Sequence, residues 1–96
     1  MHRLRIPDYL VKFISGLHPG LKRKIKGALK SITRDPDSGK PLKDELEGYR
    51  STRVSRFRII YRVESPNVIQ IAAVGPRATI YEETYRLIKR ESKDIK

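Results

Sequence analysis

Between Ser55 and Val63 the chain repeats with a period of two. Phe57, Ile59, Tyr61 and Val63 share one parity; Arg56, Arg58, Ile60 and Arg62 share the other. Side chains alternate from face to face along a β-strand, so this stretch reads as a strand with one apolar face and one arginine-bearing face. The apolar face demands a cover, which already calls for a layered fold. The arginine face has two readings. Arginine offers a planar, always-charged fork that matches phosphate. Equally, a basic protein can leave such a face to solvent.

Shorter signals complete the pattern. His2, Leu4 and Ile6 alternate with Arg3 and Arg5, which predicts a first strand. Pro7-Asp8 suits a helix start, Leu10, Phe13, Ile14 and Leu17 have helical spacing, and Gly16 suits a stop. Pro19 opens a second helix with an apolar stripe of Leu21, Ile25, Ala28, Leu29 and Ile32. Its other faces carry Lys22, Arg23, Lys24, Lys26, Lys30 and Arg34 without one acid. The short connection predicts an antiparallel helical hairpin. Asp35-Pro36-Asp37-Ser38-Gly39 predicts a turn, and residues 40–49 a loop anchored by Leu42 and Leu46. Strands are predicted at 50–54 and 56–63, with Glu64-Ser65-Pro66-Asn67 as a hairpin turn. Val68–Val74 is apolar at nearly every position, as in an interior strand covered on both faces, and Gly75-Pro76 ends it. Ile80, Thr84, Leu87 and Ile88 space a last helix to about Glu91, with a charged, frayed tail from Arg90. The 96 residues make one domain spanning 1–96. The predicted architecture is α+β: a four-stranded, mostly antiparallel sheet, an N-terminal helical hairpin on one face and a short C-terminal helix.

Charge narrows the partners. Lys and Arg total 22 against 11 Asp and Glu, a formal charge of +11 that favours a polyanion: RNA, DNA, an acidic protein or an anionic membrane. The absence of cysteine excludes disulfides and thiolate metal sites. His2 and His18 alone have no zinc-binding spacing, so neither a metal nor a cofactor is expected. Met1–Arg5 lacks the apolar run of a signal peptide, and no apolar stretch reaches membrane-spanning length. A cytoplasmic protein without a membrane role is expected.

Several motifs, in order, resemble the RelE/ParE superfamily of bacterial toxins. They are Leu42-Lys43-Asp44-Glu45-Leu46-Glu47-Gly48-Tyr49-Arg50, Arg53-Val54, Phe57-Arg58-Ile59-Ile60-Tyr61-Arg62-Val63, Ala73-Val74-Gly75-Pro76-Arg77 and Ile80-Tyr81. The resemblance covers nearly the whole chain and is closer to the RelE-like mRNA interferase branch. It implies a toxin of a type II toxin–antitoxin pair: a ribosome-dependent endoribonuclease that uses the RNA's own 2′-OH and needs no metal. The alternative it carries is a ParE-like toxin that inhibits DNA gyrase without nuclease activity. Either implies a cognate antitoxin; the first adds the ribosome and mRNA as partners.

The resemblance assigns the catalytic positions to Arg53, Arg58, Arg77 and Tyr81. Arg58 is expected to grip the phosphate by two hydrogen bonds; otherwise it pairs with an acid of the last helix. Arg77 would reach the same phosphate from a second side; otherwise it is a solvated loop arginine. Tyr81 would stack on a base or move a proton; otherwise it packs on the sheet with Tyr85. Arg53 would lie beside them. Many RelE-like nucleases carry a second basic residue two positions earlier, where this chain has Ser51, and the C-terminal histidine of some relatives is absent. The general base is left unassigned. Lys22, Lys24, Lys26, Lys30, Arg50 and Arg56 are candidate RNA contacts that bind phosphates without reading sequence; a solvated basic surface is the alternative.

Overall fold

The computed structural model describes residues 2–65 and 67–94, with side chains described through Arg90. The elements are β1 (Arg3–Arg5), α1 (Asp8–Ser15), α2 (Pro19–Arg34), β2 (Lys40–Pro41), β3 (Arg50–Val54), β4 (Phe57–Ser65), β5 (Val68–Pro76) and α3 (Ile80–Asp94). Two single 3-10 turns, Pro36–Ser38 and Asp44–Leu46, interrupt the stretch between α2 and β3. The fold is α+β, as expected.

The helices start where the sequence places their signals. Asp8 supplies an acid to the first turn of α1. In α2, Pro19 takes an early position that needs no N–H, and the His18 imidazole accepts a hydrogen bond from the Gly20 amide at 3.2 Å. Helical spacing then sends Leu10 and Ile14 of α1, and Ile25, Leu29 and Ile32 of α2, into one core. Asp35-Pro36 ends α2, because the residue before proline is pushed out of the helical region.

The sheet has the order β1-β5-β4-β3-β2, parallel at β1/β5 and antiparallel elsewhere. The expected strand count was four; there are five. The extra one is Lys40–Pro41, which pairs Lys40 with Ser51 and Pro41 with Arg50. Two residues, one a proline, carry no alternation, so this edge has no signal of its own.

The alternation in β4 holds. Phe57, Ile59 and Tyr61 join the core under the α1/α2 hairpin, whereas Ile60 packs on the opposite face with Ala73 and Ile80. Val63 departs from it and is exposed. Arg56 is not on the strand: Ser55 takes a left-handed conformation (φ 57°) and the two residues form the β3/β4 turn. β5 is covered on both faces, as expected, through a register shift. Ile60 pairs with Ala73 but Tyr61 with Ile71, leaving Ala72 unopposed. The extra residue changes the phase, so Ile69, Ile71 and Val74 all reach the hairpin core despite their differing parity.

Other boundaries move outward. β4 takes in Glu64 and Ser65 of the expected turn, while Pro66 lies outside the described residues. β5 runs on to Pro76. The backbone of α3 is helical to Asp94, past the end expected near Glu91; residues 95–96 lie outside the described set.

Tyr61 fixes the crossing from α2 to the sheet edge. Its fully buried hydroxyl donates to the Pro36 carbonyl at 2.7 Å and accepts from the Gly39 amide at 3.1 Å. A Cβ on Gly39 would collide with the phenol oxygen, which explains the glycine.

Candidate functional site

The site lies on the sheet face under α3, opposite the helical hairpin. Register builds it. Ser51 and Arg53 share a parity on β3; Arg53 sits directly opposite Arg58, and Ser51 opposite Ile60, so Arg58 and Ser51 are diagonal neighbours on one face. On the other side Arg58 faces Gly75. A Cβ there would lie 2.8 Å from Ile80 Cδ1, so the glycine lets the first turn of α3 descend onto the sheet. That descent brings Tyr81 over Arg58.

Three side chains meet at one oxygen. Arg58 Nη1 donates to Ser51 Oγ at 3.0 Å, and the Tyr81 hydroxyl donates to the same Oγ at 3.2 Å. The Arg58 guanidinium carbon lies 5.9 Å from the centroid of the Tyr81 ring. Ser51 itself is only 2% exposed. Arg58 forms no ion pair among the described residues, so the expected alternative of a salt bridge to α3 is not what holds it. Its Nε is buried without a hydrogen-bond partner. A buried donor left unpaired is costly, and a guanidinium without an ion-pair partner remains available to an anion. With Nε covered, a two-pronged grip by Arg58 would have to come from the end of the guanidinium, through Nη2 and the second N–H of Nη1.

A second arginine cluster adjoins the first. Arg53, Arg56 and Arg77, with Pro76 and Ala78, line an open concavity of about 510 Å³. The Arg77 amide donates to the Arg56 carbonyl at 2.8 Å, which ties the end of β5 to the β3/β4 turn. Arg53 Nε donates to the Ser55 carbonyl at 3.3 Å, leaving its guanidinium exposed. Arg53, standing opposite Arg58, links the two clusters. Arg56 belongs with Arg53 and Arg77 because it sits in the turn rather than on the strand. Arg58 and Tyr81 do not line that concavity.

The other basic residues divide by role. Arg50 is tied into the fold: Nη1 donates to the Asp37 and Gly39 carbonyls at 3.1 and 2.9 Å, and Nη2 lies 3.7 Å from Asp37 Oδ1. Arg62 pairs with Glu64 at 3.2 Å and lies over the Tyr49 ring at 5.4 Å. Lys24, Lys26 and Lys30 are exposed and Lys22 is half-exposed, all on α2. Lys22, Lys26 and Lys30 are four residues apart and form one row; Lys24 lies away from it, beside Phe57 and Arg56. α2 packs on the sheet face opposite the arginine site, and Lys22 and Lys26 flank a groove with Ile6, Val11 and Ile14, so the row lies along the helical hairpin. Among the described residues no three His, Cys, Asp or Glu side chains cluster as metal ligands, and no helix is long and apolar enough to cross a membrane.

Sequence reasoning missed Ser51, which it registered only as the place of an absent basic residue. The signal was available: 51 and 53 share a parity, so the residue two before Arg53 must share its face.

Residues 2–81 match the family model for the ParE toxin of the type II toxin–antitoxin system parDE. No curated protein sequence matches the chain. A chain of the RelBE2 toxin–antitoxin complex from Mycobacterium tuberculosis is 26% identical, with a TM-score of 0.67 over 79% of this chain and 98% of that one. A chain of the heterotetrameric YoeB–YefM toxin–antitoxin complex from Staphylococcus aureus is 30% identical, with a TM-score of 0.60 over 76% of this chain and 93% of that one. The isolated E. coli toxin RelE is 18% identical, with a TM-score of 0.67 over 92% of this chain and 99% of that one, a likeness of fold alone.

Proposed function

The chain belongs to the ParE toxin family of type II toxin–antitoxin systems, within the RelE/ParE superfamily, and from that premise we propose that it is a ribosome-dependent endoribonuclease that cuts mRNA. One observation carries this reading: Arg58 and Tyr81 meet at Ser51 Oγ, without an ion-paired carboxylate, beside the exposed Arg53, Arg56 and Arg77. In the reaction the RNA's 2′-oxygen forms a bond to the adjacent phosphorus. The bond to the 5′-oxygen breaks, a 2′,3′-cyclic phosphate remains, and the proton lost from the 2′-OH is balanced by one gained on the 5′-oxygen. Charge builds on the phosphoryl oxygens, where Arg58 and Arg77 stabilise it and Arg53 holds the neighbouring backbone. Tyr81 stacks on a base of the cleaved step or passes a proton. The lysine row on α2 suits the same setting, since a protein seated in a polyanionic cleft meets phosphates on both faces.

Purified protein added to translating ribosomes should yield cuts at A-site codons, mapped by primer extension. Intact mRNA in that assay refutes the reading.

A second reading is favoured by the family match itself and by Ser51 standing where RelE-like nucleases carry a basic residue. It is a ParE-like inhibitor of DNA gyrase acting through protein contact. Accumulation of cleaved DNA–gyrase complexes in a supercoiling assay, with mRNA untouched, would decide for it. Under both readings an antitoxin neutralises the chain.

A further inference from the structure

We infer that Ser51 is a positioning residue for the proposed cut, in the place of the second basic residue that this chain lacks. The inference rests on the nuclease reading and deepens it. Ser51 is 2% exposed, so it does not offer itself to substrate. Its oxygen instead accepts from Arg58 Nη1 at 3.0 Å and from the Tyr81 hydroxyl at 3.2 Å. These donors come from different elements, β4 and α3, and Ser51 on β3 is what they share. Among the described residues Arg58 forms no ion pair to orient it, and its Nε is unpartnered. Among the described residues the serine hydroxyl is therefore the one side-chain hydrogen-bond acceptor for the guanidinium, and it sets the phenol in a defined relation to that guanidinium. A lysine at this position would repel Arg58; a serine makes the arginine and the tyrosine one unit. Catalysis that depends on positioning is sensitive to displacements of about an ångström.

The test is a double-mutant cycle in the ribosome assay, with single-turnover cutting as the readout. Ser51→Ala should lower the rate at saturating ribosomes about tenfold or more, with the half-saturating ribosome concentration within about twofold of wild type. Ser51→Thr, which keeps the hydroxyl, should recover part of the rate. With Tyr81→Phe, the combined loss should fall short of the product of the two single losses, because both substitutions break the same contact. Thermal melts of each variant separate this coupling from loss of fold. Cutting by Ser51→Ala within about twofold of wild type overturns the assignment. So do losses that multiply independently. In either case the nuclease reading stands. Intact mRNA with wild-type protein removes the nuclease reading and this assignment with it.

Discussion

At the scale of single residues, Arg58 and Tyr61 share strand β4 but are opposite in kind. Arg58 carries a buried Nε without a partner, so it adds little to stability, and removing it also removes an unsatisfied donor. Arg58→Leu is expected to leave the melting temperature unchanged or higher while cutting falls below detection; a large drop in melting temperature would mean that the arginine holds the fold. Tyr61 is the reverse. Its hydroxyl satisfies both the Pro36 carbonyl and the Gly39 amide inside the core. Tyr61→Phe should lower stability by about 1–3 kcal/mol in denaturant unfolding, because two buried backbone groups lose their partner. The edge that Arg50 ties down through Asp37 and Gly39 should loosen with it.

At the scale of elements, the sheet divides two jobs between its faces. The α1/α2 hairpin seals one face with aliphatic side chains, and α3 descends on the other beside Gly75 to complete the arginine site. Under the proposed function the row Lys22, Lys26 and Lys30 is expected to act on binding and not on the chemistry. Changing all three to glutamine should leave single-turnover cutting at saturation unaltered. It should flatten the salt dependence of ribosome binding by a slope of about 2–3, near one released counterion per charge removed. An unchanged slope would return these lysines to the role of a solvated face.

At the scale of the whole molecule, +11 charges on 96 residues repel one another, and that repulsion opposes the compact state. Added salt screens it. The melting temperature of the free protein should rise from low to physiological ionic strength in differential scanning calorimetry; a fall would show that the ion pairs Arg5–Glu64, Arg62–Glu64 and Arg86–Glu82 outweigh the repulsion. An acidic antitoxin should raise it further by neutralising the same surface.

Local rules account for what the sequence alone determined. Period two in β4, helical spacing in α1 and α2, and proline and glycine at the breaks each depend on near neighbours, so element order, the hairpin and the arginine-bearing strand were all legible. The fifth strand was not, because Lys40–Pro41 exists only by pairing with β3. The second phase of β5 was not either, since the unopposed Ala72 arises from its register against β4. The candidate site was half legible. Arg53, Arg58, Arg77 and Tyr81 could be named together only through the family resemblance, and Arg56 could be placed only as a strand residue. That Arg56 turns toward Arg53 and Arg77, that Arg50 is bound into the fold, and that Ser51 joins Arg58 to Tyr81 were decided by tertiary structure. The reason is physical: a hydrogen bond between residues 30 apart in the chain depends on register and on how closely α3 approaches the sheet, and neither is a property of any local stretch.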